Sequence, residues 1–278
     1  MKTFYYSRVI RIFRQMLILF ALALVVPLLR AQTGTDFDDY KLRIDGFWFY
    51  SNPTGVLQDS TTGDVINLHR DFGFGSYSTF SGKLDWKFTR KNHLYLTGAP
   101  FDQSRTAILQ RTIVFEGQTF NVGLITKANL SVPLIAPGYQ YDIIRRRRGH
   151  LGLAFQFDLF NSEASLFAAA QAGNNNRAIT ATKSLLAPIP VAGPQFRFYL
   201  TNSPRLFVEG NVFGMYFFGY GNFVSTSDNV GVTLNKHLSV NGGYQLASRL
   251  TVNDDAKKNR LGLRLTQQGP IAGVEVSF

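Results

Sequence analysis

The chain closes on Ile271-Ala272-Gly273-Val274-Glu275-Val276-Ser277-Phe278. Ala272, Val274, Val276 and Phe278 fall on one parity, and Gly273, Glu275 and Ser277 on the other. A side-chain period of two belongs to a β-strand with one greasy and one polar face. The alternation recurs upstream. In Leu206-Phe207-Val208-Glu209-Gly210-Asn211-Val212-Phe213-Gly214, the even positions are aliphatic or Gly while the odd ones include Glu209 and Asn211. Leu151, Leu153, Phe155, Phe157 and Leu159 alternate with His150, Gly152, Ala154, Gln156 and Asp158. Leu238, Val240, Gly242, Tyr244 and Leu246 alternate with Ser239, Asn241, Gly243, Gln245 and Ala247.

Ten such segments are predicted, at about 41-50, 76-89, 93-102, 128-143, 150-168, 178-200, 205-218, 223-234, 238-249 and 259-278. Short polar turns join some of them, at Arg90-Lys91-Asn92, Arg145 to Gly149, Thr201 to Pro204 and Asn235-Lys236-His237. Between these lie longer connections, at about 51-75, 103-127, 169-177 and 250-258, and a brief one near Gly219 to Asn222. Short turns at one end and long loops at the other, with an even strand number, are the arrangement of a transmembrane antiparallel up-and-down β-barrel. The expected fold is therefore all-β, a barrel of about ten strands, with eight and twelve as the neighbouring counts.

Composition agrees. Phe 25, Tyr 12 and Trp 2 make 14% of 278 residues aromatic, yet the mean hydropathy is only -0.03. Half of each strand facing lipid and half a polar lumen would cancel in this way. Long disorder, a collagen-like repeat and a disulfide scaffold are excluded, with Gly 25 and Cys 0. Membrane-spanning helices are not indicated after residue 31, where no apolar run approaches 18 residues.

The first 31 residues differ. Lys2, Arg8, Arg11 and Arg14 precede the 14-residue apolar run Met16 to Leu29. As a helix this run rises about 21 Å, short of a hydrocarbon core of roughly 30 Å. Residues 1-31 are expected to be a cleavable signal peptide, with the cut after Ala31. Residues 32-40 then form a periplasmic N-terminal segment and 41-278 the barrel. Loss of five basic residues (Lys2, Arg8, Arg11, Arg14, Arg30) lowers the net charge from +11 to +6. The charge then gives no argument for nucleic acid, and no such partner is expected.

Two places break the pattern. Leu261, Leu263 and Leu265 put the apolar face on odd numbers, whereas Val274, Val276 and Phe278 put it on even ones. A change of phase is expected between them, at a bulge or bend around Gly269-Pro270. Leu130 to Ile143 is apolar on both parities and contains Pro133 and Pro137.

The closing stretch resembles the C-terminal β-signal recognised by the outer-membrane barrel assembly machinery, with Ala272, Val274, Val276 and Phe278 as its apolar face. Val65-Ile66-Asn67-Leu68-His69-Arg70-Asp71-Phe72-Gly73-Phe74 before the second strand, Trp86-Lys87-Phe88 with Arg90-Lys91-Asn92-His93-Leu94, and Gly269-Pro270 before the last strand are similar to the pattern of a family of bacterial, porin-like outer-membrane β-barrel proteins. The resemblance runs over most of the mature chain. It implies the fold, an outer-membrane location in a two-membrane bacterium, and the bilayer and assembly machinery as partners. His69-Arg70 stands where acidic residues are common in that group.

On the inward parity the candidate lumen-lining charges are Arg43, Asp45, Lys83, Asp85, Lys87, Asp158, Arg197, Glu209, Arg264 and Glu275. They are expected to pair across a narrow lumen, or to line a passage for ions or small solutes. Trp48, Tyr50, Trp86, Tyr139, Tyr141, Tyr216 and Tyr244 are candidates for interfacial girdles. Arg145, Arg146, Arg147 and Arg148 are expected to meet anionic lipid headgroups from a periplasmic turn.

Catalytic signals are sparse. His69 and Asp71 in the first long loop and Asp254-Asp255 in the last motivate a rim-site hydrolase as an alternative, although turns favour Asp and Asn on geometric grounds. The four His (69, 93, 150, 237) lack metal-ligand spacing, so no metal, cofactor or catalytic residue is assigned. The expected function is a structural barrel or narrow porin-like channel. A surface adhesin or receptor acting through the long loops is the other alternative.

Overall fold

The computed structural model describes residues 36–58, 64–172, 175–217, 221–253 and 261–278. The expected leader and the Asp254-Asp255 pair lie outside these. In chain order the elements are β1 (Leu42–Ser51), β2 (Thr54–Gln58), β3 (Val65–Asn67), α1 (Leu68–Phe72), β4 (Tyr77–Lys87), β5 (Asn92–Ala99), β6 (Asp102–Ile108), β7 (Ile113–Phe115) and β8 (Gln118–Phe120). There follow β9 (Ile125–Ser131), β10 (Leu134–Arg146), β11 (Gly149–Ala172), β12 (Asn175–Tyr199), β13 (Arg205–Phe217), β14 (Gly221–Thr233), β15 (Leu238–Asn253) and β16 (Leu261–Ser277).

Ten strands form the wall, in the order β1-β4-β5-β10-β11-β12-β13-β14-β15-β16, and β1 pairs antiparallel with β16 to close it. Closure leaves the ring without a free first or last strand. Backbone bonds continue it below the last paired residues: the Phe278 carbonyl accepts from the Lys41 and Leu42 amides at 2.7 and 3.1 Å. The predicted aromatic belts face outward, with Trp48, Tyr50, Trp86, Tyr139, Tyr141, Tyr216 and Tyr244 all exposed. Phe80, Leu94, Ile135, Leu153, Phe157, Val230 and Val274 join them in an apolar outer surface. A closed barrel wearing such a surface is built to sit in lipid.

Aromatic rings on the inner face lie over glycines of the next strand. A Cβ on Gly138 would stand 2.3 Å from the Tyr95 ring, one on Gly231 2.2 Å from Phe207 and one on Gly273 2.6 Å from Phe47. These glycines make room for bulky rings where the barrel is narrow.

The wall is taller on the side of the long connections. β11 has 24 residues. At about 3.3 Å per residue and a tilt of about 40° it rises about 60 Å, more than twice an apolar band of about 25 Å. The upper part of the barrel therefore stands beyond the lipid, with Glu163, Thr182, Ser184, Arg249 and Arg264 exposed on its outside.

The connections expected as loops at 51-75 and 103-127 are folded onto this upper part. β2 continues from β1 onto β16, β3 pairs with β2, and β6 pairs with β9, which lies along β11 above β10. β7 and β8 form a separate hairpin. The predicted segment 128-143 is accordingly two strands, broken at Val132-Pro133, where Pro cannot donate to the ladder. α1 is capped by Asn67, whose side chain accepts from the Arg70 amide at 2.9 Å, and by Gly73 in the left-handed region at φ 69°.

The expected change of phase in β16 does not occur. Leu263, Leu265, Gly269, Gly273 and Glu275 are all buried on the inner side, and Arg264 is exposed. What changes is the surroundings: above the lipid the interior is apolar and the exterior wet, the reverse of the lower half. Pairing slips by one residue on β15, between Gln245 and Ser248, and on β16 only near its upper end, between Leu261 and Leu263. Gly269 serves a close approach instead, since a Cβ there would strike the Tyr50 carbonyl oxygen.

Candidate functional site

Charged side chains from seven wall strands and the N-terminal segment fill the lumen at the end that holds both termini. Arg43, Asp45, Asp85, Lys87, Asp158, Arg197 and Glu275 are buried there and Lys83 and Glu209 partly so, as their parity predicts. Arg264 is the exception and is corrected: it points outward above the lipid.

Arg197 is 1% exposed and holds Glu275 through both terminal nitrogens, at 2.5 and 3.1 Å, with Glu209 at 3.3 Å from Nη1. Its guanidinium lies 3.7 Å from the Phe207 ring centroid. Such planar, bidentate and stacked packing suits Arg and not Lys. Arg43 reaches Asp85, Asp45 and Asp38 at 3.4, 3.6 and 3.8 Å. His93 sits between two carboxylates, with Nδ1 3.1 Å from Asp85 and Nε2 3.2 Å from Asp142.

The N-terminal segment closes this floor. Asp38 turns into the lumen, where its backbone carbonyl accepts from Lys87 Nζ and Arg145 Nη2, each at 2.9 Å. Its Oδ2 lies 2.9 Å from His150 Nδ1 and 3.4 Å from Lys87 Nζ. Burial alone would raise the Asp38 carboxyl, but the Lys87 ammonium and His150 outweigh it and hold the group well below the usual carboxylate range.

The arginine run is divided by this arrangement. Arg145 is corrected: its side chain is 4% exposed and bonds Asp142 at 3.1 Å, so it faces the floor and not a lipid surface. Arg146 is exposed, Arg147 lies over the Phe37 ring, and Arg148 donates to Asn202 at 2.9 Å.

The opposite end is closed by hydrocarbon. Leu130, Phe160, Leu166, Phe213, Phe223, Leu250, Leu263 and Leu265 point inward from the upper wall and pack with Leu57, Ile66, Leu68, Phe72, Phe101, Leu109, Ile113, Phe115 and Phe120 of the cap. This is a soluble-type core placed inside a barrel, formed because the cap strands are too short to stand alone.

Between floor and roof remains a chamber of about 280 Å³. Phe47, Phe49, Tyr95, Phe213 and Phe223 give it aromatic surface, and Lys83, Gln156, Asp158, Gln195, Asn211 and Asn229 give it polar groups. Gln156 donates to Asp158 Oδ1 at 2.6 Å and accepts from the Tyr95 hydroxyl at 3.0 Å. Asp158 Oδ2, Asp45 Oδ1 and Asn229 Oδ1 are buried without a hydrogen-bond partner in the protein. Buried acceptors of this kind call for a donor from water or a ligand.

Of the residues that suggested a rim hydrolase, His69 and Asp71 are engaged locally. His69 Nδ1 lies 2.8 Å from the Phe74 carbonyl, and Asp71 accepts from the Asn67 amide at 2.9 Å and from Arg111 at 2.8 Å. Among the described residues no cluster suits a metal ion. His150 and Gln156 share the parity of Asp158 on their strand and His93 alternates with Leu94 and Leu96, so alternation would have found them; Asp142 was hidden in a segment apolar on both parities. Asp38 had no such signal, because it precedes the first strand.

No family model and no curated protein matches the chain. Among solved structures it is similar to the outer membrane protease OmpT from Escherichia coli, at 11% identity and a TM-score of 0.54, covering 88% of this chain and 100% of that one. Looser likenesses are to the translocator domain of the autotransporter NalP from Neisseria meningitidis (11% identity, 98% and 97% covered, TM-score 0.42) and to Ail, the attachment invasion locus protein of Yersinia pestis (8% identity, 86% and 99% covered, TM-score 0.39). The likeness to the protease is one of fold, a closed membrane-type β-barrel, and carries no activity with it.

Proposed function

We propose that this chain is an integral outer-membrane barrel of a two-membrane bacterium, exported by a cleaved leader, with both termini in the periplasm and the cap outside the cell. Its lumen acts as a binding chamber for a small molecule and not as an open conduit. The observation that carries this reading is the chamber of about 280 Å³ with unpartnered buried acceptors, set between an ion-paired floor and an apolar roof. A passage for ions needs a continuous wet path, and both blockages stand across it. The ion pairs of the floor are the internal pairing expected of a barrel this narrow.

Purified protein in planar bilayers tests the reading. No stepwise conductance is expected from the intact chain. Steady unitary currents at low voltage would restore the narrow-channel function and remove the chamber.

A further inference from the structure

The wall beside the chamber is incomplete on one side. Pairing between β4 and β5 stops at Gly82 with Gly98, although β4 continues upward to Tyr77. Pro100 follows and has no amide to donate, and β6 then turns away to pair with β9. Tyr77 to Ser81 therefore keep strand partners on β1 but none on the other edge. The Thr79 hydroxyl donates to the Pro100 carbonyl at 3.0 Å across the gap.

This gap touches both the chamber and the outer surface. Thr79, Ser81, Thr97, Ala99 and Pro100 belong to the chamber lining. Outside, Phe80 is 72% exposed. It stands six residues up β4 from Trp86, a rise of about 15 Å, which lies within an apolar band of about 25 Å. Unpaired backbone at that depth is tolerated where it borders a cavity, not where it meets lipid alone. Below Phe80, Gly46, Gly82 and Gly98 lie in register on three adjacent strands. A Cβ on Gly46 or Gly98 would meet nothing within 4 Å. They form a shallow trough that leads up to the gap.

We propose that the chamber is filled from the side, through the gap between β4 and the β5–β6 junction, by a small lipid-dissolved amphiphile with an aromatic body and an amine head. This deepens the reading of the lumen as a binding chamber and rests on it. The head follows from the acceptors without partners, Asp158 Oδ2 and Asp45 Oδ1, on side chains 0% and 5% exposed, and Asn229 Oδ1; the Arg43 Nε and Nη1 donors, also without hydrogen-bond partners, already face Asp45 and Asp38 at 3.6 and 3.8 Å. An ammonium brings three donors and a charge opposite to that of either carboxylate. Lys83, the ammonium already present, is occupied 3.8 Å from Asp85 and 4.7 Å above the Tyr95 ring. The aromatic lining of the chamber suits the body.

Proteoliposomes of phosphatidylcholine carrying the full mature chain test this with naphthylmethylamine, whose fluorescence reports entry, and with naphthylmethanol and naphthylacetate as matched heads. The amine is expected to bind and the carboxylate not. Asp158→Asn is expected to weaken amine binding about tenfold, the loss of a charged hydrogen bond. Gly82→Leu with Gly98→Leu places side chains in the trough. It is expected to slow association and dissociation alike by about tenfold while leaving Kd unchanged. Unaltered rates in that variant, with binding intact, overturn the side entrance and leave the chamber standing. Equal binding of amine and carboxylate to the unaltered chain overturns the head assignment without requiring any variant to fold. Failure of all three probes overturns the chamber itself.

Discussion

Arg197 is the residue on which the floor depends most. It is 1% exposed and serves two carboxylates, Glu209 and Glu275, from the centre of the lumen. Removing one partner of a buried ion pair leaves an uncompensated charge. Arg197→Ala is therefore expected to destabilise the barrel by about 3–5 kcal/mol, read as a lower midpoint in heat-modifiable gel migration. An unchanged midpoint would show that water already reaches Glu275. Residues such as Arg197, Asp85 and Glu275 were legible in the sequence because strand parity assigns a face without any knowledge of contacts. Arg264 was misassigned by the same rule. Parity says that two residues share a face, and only the height along the strand says whether that face meets charge, hydrocarbon, lipid or water.

At the scale of elements, nine of the ten wall strands follow the alternating segments within a few residues, because each needs a lipid face and a lumen face where it crosses the bilayer; the exception is β10, whose predicted segment also took in β9. The cap was not legible. β3, β7 and β8 have three residues each, too few to display a period, and they exist only because the upper wall offers them an apolar surface. Besides Leu68 and Phe72 in the apolar roof, α1 has a polar tie to the rest of the cap. Asp71 accepts from Arg70, Arg111 and the Asn67 amide. Burial raises its carboxyl, but those donors outweigh the burial and hold it below its ordinary value of 3.8. A lowered value stabilises the fold above the unfolded value and loses that contribution as pH falls through the folded one. The cap is thus expected to stay protease-resistant from neutral pH to about pH 4 and to loosen below it. The comparison is with Asp71→Asn, in which the acid-dependent loosening should vanish; the same acid profile in both would exclude Asp71 as its source.

For the whole molecule, the closing strand carries more than its share of the fold. Phe278 accepts from Lys41 and Leu42 and donates from its amide to the Leu42 carbonyl at 2.8 Å, so it finishes the seam between first and last strands. Its removal is expected to reduce the folded, heat-modifiable fraction several-fold on refolding into lipid, with a smaller effect on barrels already closed. Equal yields with and without Phe278 would show that the seam closes from the residues before it. The chamber was only half legible at this scale. Charges inside a narrow barrel could be foreseen, whereas a roof of leucine and phenylalanine could not, since nothing in the alternation shows that the barrel outgrows the membrane.

The floor joins the two ends of the chain. Asp38 and Arg43 come from its beginning and Glu275 from its last strand, yet they meet around residues such as Arg197 and His150 in the middle of the sequence. Arg197 has Glu209 on the neighbouring strand and Arg43 has Asp45 and Asp85 beside it, but the contacts across the lumen, Arg197 with Glu275 and His150 with Asp38, wait until β1 meets β16. In an open, curled sheet these groups remain hydrated, and the step that zips the seam is also the step that dries them. Closure thus sets the order of events: the hydrocarbon roof can gather early from neighbouring hairpins, and the charges are sealed last. A barrel caught before closure would hold a wet, charged groove along its whole lower half, visible to a soluble quencher and hidden once the ring is complete.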